Sequence, residues 1–308
     1  MLTEVNIRNF RCFKHVGVPL RPLTVLIGQN DTGKSSFLRA LHVLTPSGAG
    51  GLPNSDFWHF AQAPHLEAAV QGVTQRVVRG ADGFQGPSDR IGPTLCLALP
   101  AEGPAMQCQG VPGTPQFGAR GENVPAVVDY FLRRDRERFD SFVSTLKERI
   151  PGLEDVGVET PNAAQRHLEL VVDGGFRVPA DQTSAGVRML LFFVALAHHP
   201  APPRLLLVEE PENGLHPKRL AYIVQLLRGL TQGAFGSHEV QVVLTTHSPY
   251  LLDEVQLPTD QVLVFKRSED GARTAEPVDA DRLAAFLEDF KLGEVWFNQD
   301  ESGLVKRP

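Results

Sequence analysis

The sequence predicts an α/β fold with a mixed, mainly parallel sheet flanked by helices. Two runs, residues 205–208 (LLLV) and 240–247 (VQVVLTTH), are apolar along most of their length, as strands buried on both faces of a parallel sheet are. Between them, residues 218–230 carry apolar side chains at the spacing of an amphipathic helix. This alternation of buried strands and helices is typical of an α/β protein.

The chain is long enough for one large domain or two modest ones. It has 308 residues, of which 42% are apolar, and 36 Asp and Glu against 30 Lys and Arg, for a net charge of −6. A protein that binds nucleic acid by overall charge has a basic surplus. If this protein binds nucleic acid, we therefore expect it to do so through a local basic groove.

The three cysteines, Cys12, Cys96 and Cys108, include no C-x-x-C pair. We therefore expect neither a disulfide framework nor a structural zinc site. No signal-like segment opens the sequence, and no apolar run approaches membrane-spanning length. We expect a soluble protein of the reducing cytoplasm with no membrane role of its own.

The N-terminal segment predicts three strands and a helix. Alternating apolar and polar residues predict strands at 2–10 and 16–20, and an apolar run predicts a third strand at 23–27. A helix begins near Lys34 and stops before Thr45.

A Gly- and Pro-rich segment, residues 47–121, predicts a small β-rich insertion with long loops. A helix is expected from Asn123 to Ile150. Within it, the charge cluster 133–138 (RRDRER) is expected to be a solvated helix face or a DNA-facing patch. The remaining predicted elements are a strand at 167–173, a helix N-capped by Ser184, a strand at 261–267, a turn at 270–271 and an amphipathic helix with Leu283, Phe286, Leu287 and Phe290 on its apolar face.

The segment Gly28–Ser36 (GQNDTGKSS) satisfies the pattern G-x-x-x-x-G-K-[ST] between a strand and a helix, which is the context of a phosphate-binding loop. Gly28 and Gly33 allow the backbone to curl so that N–H groups point at phosphates. Lys34 is expected to reach the β- and γ-phosphates, and Ser35 is expected to ligate Mg²⁺. The expected ATP-binding residues of this loop are Gly28, Asn30, Asp31, Thr32, Gly33, Lys34, Ser35 and Ser36.

Two further strand ends carry polar side chains. Glu209 and Glu210 follow the strand at 205–208, and His247 ends the next strand. In a parallel sheet these ends open on the same edge as the phosphate loop. We expect Glu209 to hold Mg²⁺ beside Ser35, Glu210 to deprotonate the attacking water, and His247 to contact the γ-phosphate or that water. Taken singly, a Glu-Glu pair is often a solvated turn, and a lone His more often packs than catalyses.

The chain resembles the ABC-type ATPases of the RecF, SMC and OLD group, and stand-alone ATPases related to the OLD N-terminal domain. The segments that carry the resemblance are NFRCF at 9–13, LTVLIGQNDTGKSSFLRAL at 23–41, TSAGVRML at 183–190, LLLVEEPENGLHP at 205–217 and LTTHSPYLLD at 244–253. The resemblance implies a P-loop NTPase with an ABC-type core. It divides the core into residues 1–46 and 179–308, with an insertion at 47–178.

The resemblance also implies a homodimer with two ATP molecules sandwiched between subunits. TSAG stands where the family has its signature motif, so Ser184 and Gly186 would meet the γ-phosphate of the opposite subunit. Arg11 resembles an arginine that approaches nucleotide in the SMC branch, although a charged residue on a strand edge would look the same. Glu209 stands where phosphate-loop ATPases usually have an aspartate. Asp31 adds a negative charge to the phosphate-binding loop. The family's Q-loop glutamine is not identified, and Gln62 is a weak candidate.

We expect an ATPase that converts ATP to ADP and phosphate. It would act as a switch on DNA, or on a DNA-acting partner such as a separately encoded nuclease, in phage defence or DNA repair. The short insertion argues against a tethering function. No nuclease activity is expected in the residues after His247. The alternative is an ATP-gated regulatory subunit that controls a protein effector or toxin without touching DNA. A transporter subunit or a small-molecule kinase fits the motifs less well.

Overall fold

The structure is a computed structural model that describes residues 1–45, 65–71, 77–80, 83–85, 91–236, 238–257, 259–268 and 271–305. The chain divides into two units. The first comprises Met1–Cys96, Pro203–Pro211 and Glu239–Pro308, and the second comprises Leu97–Pro202 and Glu212–His238. Gln62, Asp270 and much of the segment 47–90 lie outside the described residues.

The described elements follow the chain in this order: β1 (Leu2–Phe10), β2 (Phe13–Pro19), β3 (Leu23–Ile27), α1 (Lys34–Val43), β4 (His65–Val70), β5 (Val77–Gly80), β6 (Gly83–Gln85), β7 (Thr94–Ala98), β8 (Gln107–Gln109), α2 (Val124–Arg134), α3 (Arg136–Lys147), β9 (Leu153–Glu159), β10 (Gln165–Val172), β11 (Phe176–Pro179), α4 (Ala185–Ala197), β12 (Leu205–Glu209), α5 (Pro217–Thr231), β13 (Gln241–Thr245), α6 (Pro249–Leu252), β14 (Gln261–Arg267), β15 (Arg273–Pro277), α7 (Ala280–Leu287) and α8 (Leu292–Leu304). Among these, no helix has both the length and the apolar character needed to cross a membrane.

The six-stranded sheet has the order β15-β14-β3-β13-β12-β7. Strand β13 pairs in parallel with β3 and with β12, and β14 pairs in parallel with β3. Strand β15 returns antiparallel to β14. Every residue of β3 and of β13 is buried, which explains their continuous apolar runs. The predicted mixed, mainly parallel sheet is therefore confirmed.

The first unit also contains an antiparallel sheet with the order β2-β1-β4-β5-β6. Strand β1 pairs with β2 on one edge and with β4 on the other. Strands β4, β5 and β6 come from the segment that was expected to form a β-rich insertion, and they extend the N-terminal sheet.

Three aromatic side chains join the two sheets of the first unit. The Phe265 ring on β14 lies 6.2 Å from the Phe13 ring on β2 and 5.3 Å from the Phe37 ring on α1, measured between centroids. All three side chains are fully buried. Each such pair contributes about 0.5–1.5 kcal/mol beyond area burial, so β2, α1 and β14 are held together around the segment that follows β3.

In the second unit, β10 lies at the centre of a four-stranded sheet. It pairs with β9 on one edge and with β11 and β8 along the other. Asp129 on α2 links the helices to this sheet, because its carboxylate accepts hydrogen bonds from Arg133 Nε at 2.6 Å and from Arg166 Nε on β10 at 2.8 Å.

The single helix expected between Asn123 and Ile150 is instead two helices. The backbone leaves helical geometry at Asp135, with φ −148°, between α2 and α3. The Asp135 carboxylate accepts a hydrogen bond from Arg138 N at 3.1 Å and so caps α3. The charge cluster 133–138 therefore spans a helix break, and Arg138 Nη1 donates to the His198 carbonyl at 2.8 Å.

The amphipathic helix near the C-terminus is shorter than expected. Helix α7 ends at Leu287, and within it Leu283 is the buried residue. Phe286 and Phe290, which were expected on its apolar face, are 43% and 54% exposed.

His198 and His199 directly follow helix α4, and His198 occupies its C-cap position. His198 is 8% exposed, and its Nε2 lies 3.2 Å from Thr145 Oγ1. His199 Nε2 lies 2.8 Å from the Pro115 carbonyl, and His199 Nδ1 accepts from Ala201 N. Burial, and secondarily the Arg138 charge, lowers the pKa of His198 to about 4. Burial also lowers the pKa of His199.

These histidines should make the fold sensitive to acid. A lowered pKa in the folded state means that stability is complete above the unfolded value of about 6.5 and falls as the pH drops toward 4. We expect His198 to account for up to about 3 kcal/mol of this loss. Urea unfolding of the wild type and of His198→Gln between pH 7 and pH 4.5 measures it. The variant should lose less stability on acidification, and the exposed His15→Gln should follow the wild type. Parallel curves for all three proteins would contradict the assignment.

Candidate functional site

The loop between β3 and α1 requires glycine at two positions. Gly28 has φ 140° and Gly33 has φ 109°. A Cβ at Gly28 would overlap the Phe265 carbonyl oxygen, and a Cβ at Gly33 would lie 2.7 Å from Phe13 Cζ. Asp31 between them also has a positive φ, of 61°. The loop is therefore curled tightly against β14 and β2.

Lys34 is folded back over this loop. Its side chain is 7% exposed, and Nζ donates hydrogen bonds to the carbonyls of Gly28 at 2.8 Å and Gln29 at 2.9 Å. Thr32 Oγ1 donates to the same Gln29 carbonyl at 2.8 Å. Carbonyl oxygens thus hold the ammonium group at the centre of the loop, where it can exchange them for anionic oxygens.

The first turn of α1 suits an anion. Gly33 occupies its N-cap position without a side-chain hydrogen bond, and the turn contains no acidic residue. Its backbone N–H groups and the positive end of the helix dipole therefore favour a phosphate.

Glu210 follows β12 in a left-handed conformation, with φ 42°. Its N–H donates to both the carbonyl and Oγ1 of Thr245 on β13, each at 3.2 Å. Its carboxylate oxygen Oε1 lies 3.6 Å from His247 Nε2. A backbone strained in this way is typical of positions where a side chain is aimed at a ligand.

Lys34, Glu210 and His247 all line one cleft of about 670 Å³. Its lining within the described chain consists of Cys12, Asn30, Asp31, Gly33, Lys34, Ser35, Ser36, Glu210, Thr245, His247, Arg267 and Arg273. Eight of the predicted site residues therefore meet at one place, at the carboxyl edge of the parallel strands.

Four residues of the cleft were not predicted from the sequence: Cys12, Thr245, Arg267 and Arg273. Arg267 is the last residue of β14, a parallel strand. The rule that indicated Glu210 and His247, that parallel strands end at one edge, would have indicated Arg267 as well. Arg273 carried no such signal, because it begins an antiparallel return strand.

Other predicted residues lie outside the cleft lining. Gly28 and Thr32 belong to the loop and take part in its internal hydrogen bonds: the Gly28 carbonyl accepts from Lys34 Nζ, and Thr32 Oγ1 donates to the Gln29 carbonyl. Glu209 is the last residue of β12, and its charge acts on the Cys96 thiol, whose pKa burial raises to about 11. Arg11 has φ 49° and directly precedes Cys12 of the cleft wall. Roles for Glu209 and Arg11 remain predictions.

Ser184 and Gly186 belong to the second unit, at the start of α4. Ser184 occupies the N-cap position, as predicted, but its side chain makes no capping bond. Its Oγ accepts instead from Arg219 Nη1 at 3.5 Å. A Cβ at Gly186 would overlap the same Arg219 group, so the TSAG segment is packed against an arginine of α5.

The three cysteines are free thiols. Within the residues that the structure describes, no group of three or more His, Cys, Asp or Glu side chains could hold a metal ion by itself. His216 N-caps α5 by accepting a hydrogen bond from Lys218 N at 3.3 Å.

Two protein-family models match separate parts of the chain. A family described as "AAA ATPase domain" matches residues 1–56. A family described as "AAA domain, putative AbiEii toxin, Type IV TA system" matches residues 114–253. The solved head domain of SMC bound to the C-terminal winged-helix domain of ScpA has a TM-score of 0.61, with 13% identity over 91% of this chain and 98% of that one. The SMC head domain from Thermotoga maritima has a TM-score of 0.52, with 12% identity over 90% of this chain and 99% of that one.

The chain has the ABC-type ATPase fold of these SMC head domains, and two of its segments match AAA ATPase domain families. It is also 41% identical over 44 residues to the OLD nuclease of Thermus scotoductus, which covers 14% of this chain and 8% of that protein. It is 34% identical over 73 residues to the Old nuclease of Escherichia phage P2, which covers 24% of this chain and 12% of that protein. The chain thus matches only small fractions of the length of these curated relatives.

The glycine requirement can be tested by two matched substitutions. Gly33→Ala adds both a positive-φ strain and an overlap with Phe13. Gly174→Ala adds only the strain, because Gly174 has φ 88° and nothing lies within 4 Å of its Cβ position. We expect Gly174→Ala to lower the free energy of unfolding by about 1 kcal/mol and Gly33→Ala by about 3 kcal/mol. Equal losses in chemical denaturation would show that Phe13 does not restrict the loop.

Proposed function

We propose that this protein is an ATPase that binds ATP in the cleft and hydrolyses it to ADP and phosphate. The observation that carries the proposal is the meeting of Lys34 and Ser35 with Glu210 and His247 in one cleft. These groups supply the three functions that phosphoryl transfer to water requires: phosphate binding, charge stabilisation and activation of the water.

The loop and Lys34 bind the phosphates. The N–H groups at the start of α1 donate to phosphate oxygens, and Lys34 Nζ exchanges its bonds to the Gly28 and Gln29 carbonyls for the β- and γ-phosphates. Because Lys34 is 7% exposed, its charge is weakly screened by water and acts strongly on the bound phosphates.

The oxygen donors present fit Mg²⁺. This ion takes oxygen ligands from one or two side chains together with phosphates, and Ser35 supplies a hydroxyl in the cleft. Glu209 is proposed to hold the ion through a water molecule. When bound, Mg²⁺ neutralises charge on the β- and γ-phosphates.

Glu210 is the proposed general base. Its carboxylate lines the cleft and is 41% exposed, so a water molecule can reach it. It accepts a proton from that water as the water oxygen attacks the γ-phosphorus and the bond to the β-phosphate oxygen breaks. His247, 3.6 Å from the carboxylate, orients the water or donates to the γ-phosphate.

We further propose that two copies enclose two ATP molecules and that this dimer acts on DNA or on a DNA-acting partner. The similarity to the two OLD nucleases supports the DNA setting, and with it phage defence or DNA repair. The resemblance to RecF, SMC and OLD proteins supports the dimer. Ser184 and Gly186 at the start of α4 would close the opposite site, and the first turn of α4 contains no acidic residue.

A second candidate is an ATP-gated regulator of a protein effector that does not contact DNA. Two observations favour it: the net charge of −6, and a matching family whose description names a toxin–antitoxin system.

Lys34 and Glu210 should affect different steps. We expect Lys34→Ala to weaken ATP binding at least about tenfold, because it removes a charge-assisted contact. Glu210→Gln should lower kcat at least about 100-fold with little change in the Kd for ATP, because a general base contributes 10²–10⁴. Phosphate release and calorimetric titration measure the two quantities. The exposed Lys14→Ala and Glu288→Gln serve as controls and should match the wild type. Unchanged turnover in Glu210→Gln would exclude it as the base.

The mass of Glu210→Gln in solution tests the dimer. We expect a monomer without nucleotide and a dimer with Mg²⁺-ATP, since ATP is bound but not consumed. Ser184→Arg in the same background should remain monomeric with ATP bound. Adding duplex DNA then separates the two candidate functions: salt-sensitive retention of DNA by the dimer supports the first, and indifference to DNA supports the second. A monomer under every condition would refute the sandwich.

A further inference from the structure

The cleft has a basic wall to which the proposed mechanism assigns no role. Arg267 is the last residue of β14 and Arg273 is the first of β15, and both line the cleft. The two residues are Cα partners in the antiparallel hairpin. Side chains of directly opposite residues lie on the same face with Cβ atoms about 5 Å apart. The two guanidinium groups therefore share one side of the cleft.

This pairing is costly for the hairpin alone. Like charges directly opposite each other destabilise a pair of strands, and arginine does not lose its proton in proteins. A bound anion removes the repulsion and satisfies both forks. The pair is therefore better explained by a ligand than by the stability of the hairpin.

Arg273 is also anchored to the phosphate loop. Its Nε donates to the Asp31 carbonyl at 3.1 Å, and its Nη1 donates to the Gly271 carbonyl at 2.7 Å. These bonds use two of the five N–H groups of a guanidinium. Arg273 is thus held beside the loop, with further N–H groups that can donate to a ligand.

The order of the strands indicates which part of a nucleotide reaches this wall. Glu210 follows β12, His247 follows β13, the phosphate loop follows β3, and Arg267 ends β14, in that order across the sheet. Neighbouring strands lie about 4.8 Å apart, so β13 and β14 are about 10 Å apart. A triphosphate with its γ-phosphate beside Glu210 and His247 runs across the loop toward β14. Its α-phosphate, next to the nucleoside, then faces the arginines.

We propose that Arg267 and Arg273 bind the α-phosphate of the nucleotide and so orient it in the cleft. The inference rests on the proposed ATP binding. The planar forks of two arginines match the oxygens of one phosphate group. This wall binds ATP and ADP alike, because both carry an α-phosphate, while Glu210 and His247 act only where a γ-phosphate is present.

The test is calorimetric titration of ATP and of ADP into Arg267→Gln, Arg273→Gln and the wild type. Each variant should bind both nucleotides about tenfold more weakly, by the same factor for ATP as for ADP. Arg267→Lys and Arg273→Lys keep the charge but not the fork, and should recover part of the affinity. Arg8→Gln, an exposed arginine of β1 outside the cleft lining, should bind as the wild type does. Thermal unfolding of each variant checks that the fold is intact.

Unchanged nucleotide affinity in both glutamine variants would overturn the inference, and if DNA binding were weakened at the same time, the wall would be a DNA contact. A loss of affinity confined to ATP would also overturn it, because it would place the arginines at the γ-phosphate. A loss confined to Arg273→Gln would overturn it as well, because the loss would be due to its hydrogen bond with the Asp31 carbonyl. Failure of the proposed function looks different, because the wild type would then bind no more nucleotide than Lys34→Ala.

Discussion

The site depends on the close approach of three chain segments around a loop that has no room for a side chain at Gly28 or at Gly33. The Phe265 carbonyl lies against Gly28, and the Phe13 ring lies against Gly33. Phe265 in turn packs on both Phe13 and Phe37. The apolar core thus continues up to the backbone that is proposed to bind phosphate. The curved backbone of the loop is fitted to these contacts at Gly28 and Gly33.

This packing also explains why the antiparallel sheet belongs to the site. Strand β2 supplies Phe13, and the turn before it places Cys12 in the cleft wall. Arg11 in this turn has a positive φ value, as does Asn9 near the end of β1, and a positive φ at the first central residue is typical of a tight hairpin turn. A segment that looks peripheral in the sequence therefore shapes one side of the cleft.

Sequence patterns were sufficient where chemistry and strand order coincide. The phosphate loop, Glu210 and His247 could be located because a buried parallel strand has a distinctive apolar run, and because parallel strands end at one edge. Sequence patterns failed where strands pair over a long sequence separation, where a helix is interrupted, and where a short hairpin brings a residue into the site. Strand β4 pairs with β1 across more than fifty residues of sequence, a partner that no local pattern identifies. Asp135 interrupts a run of helical periodicity because its carboxylate caps the next helix, and Arg273 enters the site only through a hairpin.

At Glu210, the backbone makes the hydrogen bonds that hold the turn, and the side chain lines the cleft. Two hydrogen bonds from the Glu210 N–H to Thr245 hold the turn, and neither uses the Glu210 side chain. The left-handed conformation at this position is one that Asn and Asp adopt more readily than most residues. Replacement of Glu210 by Asn would therefore remove the carboxylate while the turn keeps its backbone conformation. Under the proposed function, such a chain would still bind nucleotide in the loop but would no longer activate the attacking water.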